Sequence, residues 1–489
     1  MPSLQQIPSV YKSILFQARL TPHATAVALE SREMSYREFA RDIERVTRRL
    51  HRHGVEQGQR IGVLVDNTYL RWVITVALVR LGVVSVALYS DSRKEVDFIR
   101  ARTVIVDNIA GLEGIDAIQP NQQWLGPEAD AWPAFKDTLF ARDTPCRMVL
   151  SSGTTGLPKK AMLTYGDVAD RILGNARTYG LNATARLLTT MGMSTIGGFM
   201  MYVACWANGG TALLVDTHRS MTMMGLLAMR PNVMFSSPAQ LEALMQMLPK
   251  DYWPSNHLYL YVAGSTLPNK LSRMVRSRLT QSLFVIYGST EAGTMTFAHA
   301  LRCEEEPGFT GYVVPMAELQ VVDDNGQPVE TGVPGDIRVR SHGMVARYED
   351  EPEGTDAAFR DGWFYPGDLG RLTPDEGLVL LGRTREVMNF GGKKLAPDVI
   401  EEALADCPGI AEMAAFSIGS EGNQRPWVAV VDTDEFNEEA LHRQFAKSFP
   451  GLPKLSIART RDIPRNEMGK VLRGELRSRV ERALASSTR

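Results

Sequence analysis

Short apolar strands bounded by glycines or polar turns alternate with amphipathic helical stretches through most of this chain. That alternation restricts it to an α/β architecture with buried, mostly parallel sheets. Residues 36–50 carry Phe39, Ile43, Val46 and Leu50 on one helical stripe, with Arg37, Arg41, Glu44 and Arg48 facing outward. Residues 58–65, 103–106, 233–236, 258–262 and 283–286 read as strands, and 72–89 as a helix turning into a strand. From about Gly308 to Gly382 the texture changes to short strands with frequent turns, such as Asp323-Asp-Asn-Gly326 and Gly332-Val-Pro-Gly335. This predicts a β subdomain over about 308–382. After it a fresh pattern begins, with a helix from Ile400, strands at 413–418 and 427–431 and a helix at 438–449. A boundary near Arg385 therefore divides a large N-terminal domain, 1–384, from a small C-terminal one, 385–489.

Bulk properties exclude several classes. A length of 489 residues gives ample core for two to four domains. A net charge of −2 provides no basic excess for binding a phosphate backbone, so nucleic acid is not expected as a partner. Cys146, Cys205, Cys303 and Cys407 form no CxxC pair, which argues against a zinc site or a disulfide framework and fits a cytoplasmic protein. No signal peptide is read at the N-terminus, and no lipidation or peroxisomal signal at the C-terminus. Residues 187–215 pass without a charge, longer than the roughly 20 residues needed to span a bilayer. Glycines and Asn208 interrupt that run, so it reads as core, and no membrane span is expected.

Five segments carry chemistry. Leu150-Ser-Ser-Gly-Thr-Thr-Gly-Leu-Pro-Lys-Lys160 crowds hydroxyls, glycines and lysines after an apolar run. Such a loop can wrap a polyphosphate: Gly153 and Gly156 let the backbone approach, Ser151, Thr154 and Thr155 donate hydrogen bonds, and Lys159 supplies charge. Its spacing is not that of a Walker A loop, which sets aside a P-loop ATPase. Ile286-Tyr-Gly-Ser-Thr-Glu-Ala-Gly293 offers an aromatic, a hydroxyl and a carboxylate in one turn. There Tyr287 can stack on a base, Thr290 can bond a phosphate oxygen, and Glu291 can hold Mg²⁺, a hard ion that takes oxygen ligands. The others are Gly362-Trp-Phe-Tyr-Pro-Gly-Asp-Leu369, the stretch from Gly382-Arg-Thr-Arg385 through Gly391 and Gly392 to Glu401, and Ile463-Pro-Arg-Asn-Glu-Met-Gly-Lys-Val471. Taken singly, each has a plainer reading as a turn or a solvated lysine. All five occurring in order carries the argument.

Together these segments resemble the motifs of the adenylate-forming enzymes, the acyl- and aryl-CoA ligases, luciferases and peptide-synthetase adenylation domains. The likeness runs from about residue 10 to 482. It implies a large domain of two stacked α/β sheet subdomains plus the β subdomain, and a small mobile α+β domain. It also implies a reaction: a carboxylate attacks the α-phosphorus of ATP, pyrophosphate leaves, and a thiol then takes the acyl group. By the same resemblance Asp368 and Arg383 contact the ribose, Arg385 is the hinge, and Gly391 and Gly392 line the acceptor tunnel. Lys470 is the catalytic lysine of the first half-reaction. Val262-Ala-Gly-Ser-Thr-Leu-Pro268 resembles the segment lying against adenine and acid, which singles out Gly264 and Ser265. The expected acceptor is CoA. A phosphopantetheinyl carrier protein is the alternative thiol, and a non-catalytic nucleotide-binding relative the remote one, spoken against by Lys159, Glu291, Asp368, Arg383 and Lys470.

The departures bear on substrate. Lys160 stands where the phosphate loop usually has glycine, and is expected to add charge near the pyrophosphate. Tyr165 replaces a common histidine, and Pro366 the usual threonine. The acid-pocket gate falls on Ser194, within Thr190-Met-Gly-Met-Ser-Thr-Ile-Gly-Gly-Phe199. No aspartate occurs there to pair an α-ammonium, so a plain carboxylic acid is favoured over an amino acid. Met193, Ser194, Phe199, Gly264, Ser265 and Met295 are the expected pocket, within a methionine-rich region whose more ordinary role is core. Glu304-Glu-Glu306 reads as a solvated turn, and Arg473, Arg477, Arg479 and Arg482 as the wet face of a terminal helix.

Overall fold

The computed structural model describes residues 6–90, 92–126, 135–151, 158–215, 223–384, 386–390, 393–419, 424–465 and 471–487. Two sheets organise the larger part of the chain. In the first, strands run in the order Lys159–Thr164, Pro145–Ser151, Val84–Ala87, Arg60–Leu64, Thr103–Val106, Asp116–Ile118, parallel except for the first pair. The second has a parallel half, Thr25–Ala28, Thr211–Leu213, Arg186–Thr189, Val233–Ser236, Tyr259–Val262 and Leu283–Ser289. From Leu283–Ser289 onward its pairing is antiparallel, through Gly293–His299, Phe309–Val313, Gly377–Arg383 and Asp368–Leu372. The β-rich stretch after Gly308 is thus hydrogen-bonded into the second sheet rather than standing as a sheet of its own, because Leu283–Ser289 pairs in parallel with Tyr259–Val262 along one edge and antiparallel with Gly293–His299 along the other.

The sheets meet over a shared helical layer. Tyr36–Arg52 starts at a capping box between Ser35 and Glu38 and buries Phe39, Ile43, Val46 and Leu50, the stripe read from the sequence. Trp206 of the helix Ile196–Ala207 packs against Phe39 and Trp72, and its indole N–H donates to the Ala26 carbonyl at 2.9 Å. The uncharged run 187–215 is therefore a strand, a helix and a strand inside this core, and among the described residues no helix is long and apolar enough to cross a membrane.

The residues after Met388 have their own core. A three-stranded sheet of Ile410–Ile418, Arg425–Asp432 and Ser456–Arg459 packs against Pro397–Leu404, Glu438–Ser448 and Arg473–Ser487. Two surface readings need correction here. Arg473 is no solvated residue: it is pulled inward by Glu401 and Asp398, each at 2.7 Å, and Glu386 at 3.5 Å. The acids at 304–306 also serve structure: Glu304 is held by Arg276 and Ser272 and Glu306 by Arg371, around the helix Ala300–Glu305.

Candidate functional site

The strand Leu283–Ser289 leaves the centre of the second sheet and reverses through Thr290 into Gly293–His299. The reversal needs Gly293 at φ +71°, and Gly288 admits no side chain because a Cβ there would lie 2.6 Å from the Gly293 carbonyl. The tight turn sets Tyr287, Thr290 and Glu291 on the wall of a cavity of about 670 Å³.

Asp368 and Arg383 reach the same wall because their strands pair with those two residues opposite each other. Arg383 Nε lies 3.0 Å from Asp368 Oδ1, the Tyr287 hydroxyl donates to Asp368 Oδ2 at 2.5 Å, and Arg383 Nη1 donates to the Pro366 carbonyl at 2.6 Å. Burial and the Asp368 charge push the Tyr287 hydroxyl well above its ordinary pKa, so it stays a donor. Burial opposes the Arg383 charge, but Asp368 outweighs it and holds the guanidinium pKa above its usual value.

Glu291 is buried and accepts from the Tyr348 hydroxyl at 2.7 Å. The ammonium of Lys159 sits 4.4 Å from the centre of the Tyr348 ring, a cation–π contact. Tyr348 thus serves two of the residues read from the motifs, yet no pattern marks it out: residues 342–350 follow neither helix nor strand period. Lys160 corrects the sequence reading. Its ammonium turns away to Asp350 at 2.6 Å and to the Phe98 carbonyl at 3.3 Å, so its charge is neutralised behind the site.

The opposite end of the cavity is apolar, lined by Met191, Ile196, Gly197, Met200, Met201 and Phe235. Its placement corrects the expected pocket. A helix begins at Ile196, capped by Thr195, whose hydroxyl accepts from the Gly198 N–H at 3.0 Å. Ile196, Gly197, Met200 and Met201 then share the inward face by helical period, which carries Phe199 to the other side. There the Arg147 guanidinium stacks on Phe199 at 4.5 Å and donates to the Met193 carbonyl at 2.8 Å, so Met193 and Phe199 belong to the core behind the wall. Ser194 and Ser265 are also off the lining, whereas Gly264 and Met295 are on it. Tyr165 is buried and stacked on Phe140 at 4.1 Å, away from the cavity.

Of the remaining candidates, Thr154, Thr155, Gly156, Arg385, Gly391, Gly392 and Lys470 lie outside the described residues, as does the Ser151 side chain. The residues flanking 466–470 are informative in themselves: Arg465 and Leu472 both line the cavity. Among the described residues three carboxylates also line it, Asp170, Glu291 and Asp368, and each has a protein partner, Asp170 being paired with Arg142 at 2.6 Å. Among the described residues no three His, Cys, Asp or Glu side chains gather to hold a metal. One buried carboxylate beside a nucleotide pocket instead fits Mg²⁺, which keeps phosphate and water ligands and asks one or two carboxylates of a protein.

Residues 16–349 match the family model for AMP-binding enzymes. The chain belongs to this family. Among relatives, indoleacetate–CoA ligase of Aromatoleum aromaticum is 28% identical, with 95% of this chain and 97% of that protein covered. A 2-succinylbenzoate–CoA ligase of Bacillus mycoides is 26% identical over 96% and 98%. The fold of this AMP-binding enzyme is shared by the Bacillus subtilis o-succinylbenzoate CoA synthetase in complex with its acyl-adenylate intermediate, with a TM-score of 0.85 at 20% identity and 97% and 98% coverage. The ATP-bound MatB of Rhodopseudomonas palustris has a TM-score of 0.82 at 22% identity, covering 95% and 98%.

Proposed function

We propose that this AMP-binding enzyme is an ATP-dependent ligase of the cytoplasm that joins an aryl or arylalkyl carboxylic acid to CoA through an acyl-adenylate. The observation that carries the reading is one cavity with two unlike ends, a charged wall of Tyr287, Glu291, Asp368, Arg383 and Lys159 and an apolar wall of methionines and Phe235. A carboxylate oxygen of the acid attacks the α-phosphorus of ATP, the bond to pyrophosphate breaks, and the mixed anhydride forms. The CoA sulfur then attacks the acyl carbon and AMP leaves with the pair of electrons of the anhydride bond.

Asp368, fixed by Tyr287 and Arg383, accepts from the ribose hydroxyls in this reading, and Tyr287 lies along the base. Thr290 and Lys159, with Ser151, Thr154, Thr155 and Gly156, hold the phosphates. Glu291 holds Mg²⁺, which neutralises the phosphate charge that builds as pyrophosphate departs. Gly264 borders the boundary between base and acid. Lys470 aligns the carboxylate with the α-phosphate, since Arg465 and Leu472 on either side of its segment line the cavity. The unit from 385 onward turns about Arg385 after the first step and brings Gly391 and Gly392 to the thiol path. The aryl preference rests on the apolar wall and on the relatives, which are named as ligases of indoleacetate and 2-succinylbenzoate.

ATP–pyrophosphate exchange with a panel of aryl, arylacetic, short- and long-chain acids tests the first step, and mass detection of the CoA thioester tests the second. Exchange with aryl acids and a CoA product is the expected result. Exchange that yields a thioester only on a carrier protein would replace CoA as acceptor, and no exchange with any acid despite ATP binding would sink the ligase reading. In Lys470→Ala, adenylate formation should fall by about 10²–10³, the size of one lost preorganised charge. Thioester formation from supplied acyl-adenylate should be largely spared, and equal loss of both steps would contradict the rotation.

A further inference from the structure

Arg171 is buried at the cavity wall in a way that folding alone does not explain. It projects from the helix Tyr165–Tyr179 and is 5% exposed. Its Nε donates to the Gly343 carbonyl at 2.7 Å, and its Nη2 to the carbonyls of Thr290 at 3.0 Å and Glu291 at 2.8 Å. Among the described residues its Nη1 has no partner and no carboxylate forms an ion pair with it. Burial accordingly lowers the guanidinium pKa to about 10, leaving it charged at neutral pH. Burying a guanidinium without a counter-ion is costly, and an apolar side chain of similar size would fill the same space at less cost.

What the side chain does accomplish is geometric. Three main-chain carbonyls from two segments distant in sequence converge on one rigid planar fork. Gly343, at φ +77°, packs so closely that a Cβ would lie 2.9 Å from Arg171 Cγ, and a Cβ on Gly293 would lie 3.8 Å from the guanidinium. Glu291 itself is pinned at its carbonyl by Arg171 and the Val345 N–H at 2.9 Å, and at its carboxylate by Tyr348. We propose that Arg171 is a positioning residue for the nucleotide–metal site: it fixes the Thr290–Glu291 turn against the Gly343 turn, and so sets where the Glu291 carboxylate stands. This rests on Glu291 holding Mg²⁺ as read above.

The test compares Arg171→Met and Arg171→Lys with Arg147→Met. Arg147 is an equally buried arginine without an ion pair among the described residues, but its partners, the Met193 carbonyl and Ser85 hydroxyl, lie behind the wall. Calorimetric ATP binding is titrated with Mg²⁺ in the absence of any acid, alongside melting temperature and exchange kinetics. Partners that orient a metal ligand typically matter 10–100-fold, so Arg171→Met should raise the Mg²⁺ needed for half-maximal ATP binding by about tenfold or more. The exchange rate should fall by a similar factor, with the KM for the acid little changed. Arg171→Lys, which keeps the charge but not the fork, should be intermediate, and it stands in if the methionine variant fails to fold. Arg147→Met should lower the melting temperature and leave the Mg²⁺ dependence alone. If Arg171 variants lose melting temperature as Arg147→Met does while keeping wild-type Mg²⁺ dependence, the proposal is overturned. Wild-type protein that binds Mg²⁺-dependent ATP but exchanges with no acid would refute the ligase reading and leave Arg171 still readable. Wild-type protein that shows no Mg²⁺-dependent ATP binding would refute both.

Discussion

The two ends of the cavity are built on opposite principles. At the charged end each key group is held by a directional bond: Asp368 by Tyr287 and Arg383, Glu291 by Tyr348, Lys159 over the Tyr348 ring. At the apolar end the wall is set by packing, with Gly197, Met200 and Met201 presented by one helix face against Phe235. Directional bonds fix positions, so a substitution at the charged end should remove binding and chemistry whatever the acid. Packing fixes only a shape, so a substitution at the apolar end should change which acid fits.

The sharpest break of this contrast is Asp368→Ala. It removes the acceptor of Tyr287 and the carboxylate that stands 3.0 Å from Arg383 Nε, along with the proposed ribose contacts. Hydrogen bonds to a charged group contribute about 1.5–3 kcal/mol each. Loss of two ribose contacts should therefore lower kcat/KM for ATP by about 10²–10⁴, at about 1.4 kcal/mol per factor of ten. The factor should be the same for every acid tested. A loss that varied strongly with the acid would show that the two ends are not independent.

Gly197→Ala probes the other end. A Cβ there would lie 2.8 Å from Phe235 Cε1 and 3.3 Å from Met191 Sδ, so the lining must rearrange around it. One methylene in an apolar pocket is worth about 10–200-fold in discrimination. The expectation is a loss near the lower end of that range for bulky aryl acids, a smaller one for short acids, and unchanged ATP affinity by calorimetry. An equal loss for all acids would place Gly197 outside the acid site.

The same contrast explains what the sequence disclosed. The charged end was legible because phosphates, ribose and a hard cation demand particular side chains at fixed spacing, and Tyr287, Thr290, Glu291, Asp368, Arg383 and Lys159 do line one cavity. The strands were legible from apolar runs bounded by glycine: 103–106 and 233–236 match the observed Thr103–Val106 and Val233–Ser236. The apolar end was not. A methionine facing a cavity and one facing a core satisfy the same hydrophobic demand, and only the start of a helix at Ile196, not anticipated, separates Met200 from Met193. Lys160 misled for a related reason: a charge beside a phosphate loop announces its sign but not its partner, and Asp350 lies 190 residues away. Arg171 gave no signal because its partners are main-chain carbonyls, which no side-chain pattern reports.

The smallest expected effect concerns how the charged end is held from behind. Lys160 and Arg100 both reach Asp350, at 2.6 Å each, and Arg60 reaches Glu349 at 2.9 Å. With the Glu349 N–H on the Lys160 carbonyl, these contacts anchor the segment that presents Tyr348 to Glu291 and Lys159. Asp350→Asn is the mild test, since asparagine accepts the left-handed backbone at φ +62° and keeps an acceptor for Lys160. With the carboxylate charge gone, stability at pH 7 should fall by about 1–2 kcal/mol, at the low end for a hydrogen bond to a charged group. The hydrogen bond from Lys160 holds the Asp350 carboxyl below its usual pKa. A carboxyl whose folded pKa is depressed stabilises fully above its unfolded value of about 3.9 and loses that contribution as pH falls through the folded one. The gap between wild type and Asp350→Asn in urea unfolding should thus be constant from neutral pH to about pH 5 and narrow below pH 4. A gap that persisted undiminished in acid would assign the effect to packing at Asp350, and the charged end would then rest on shape at its rear as the apolar end does at its wall.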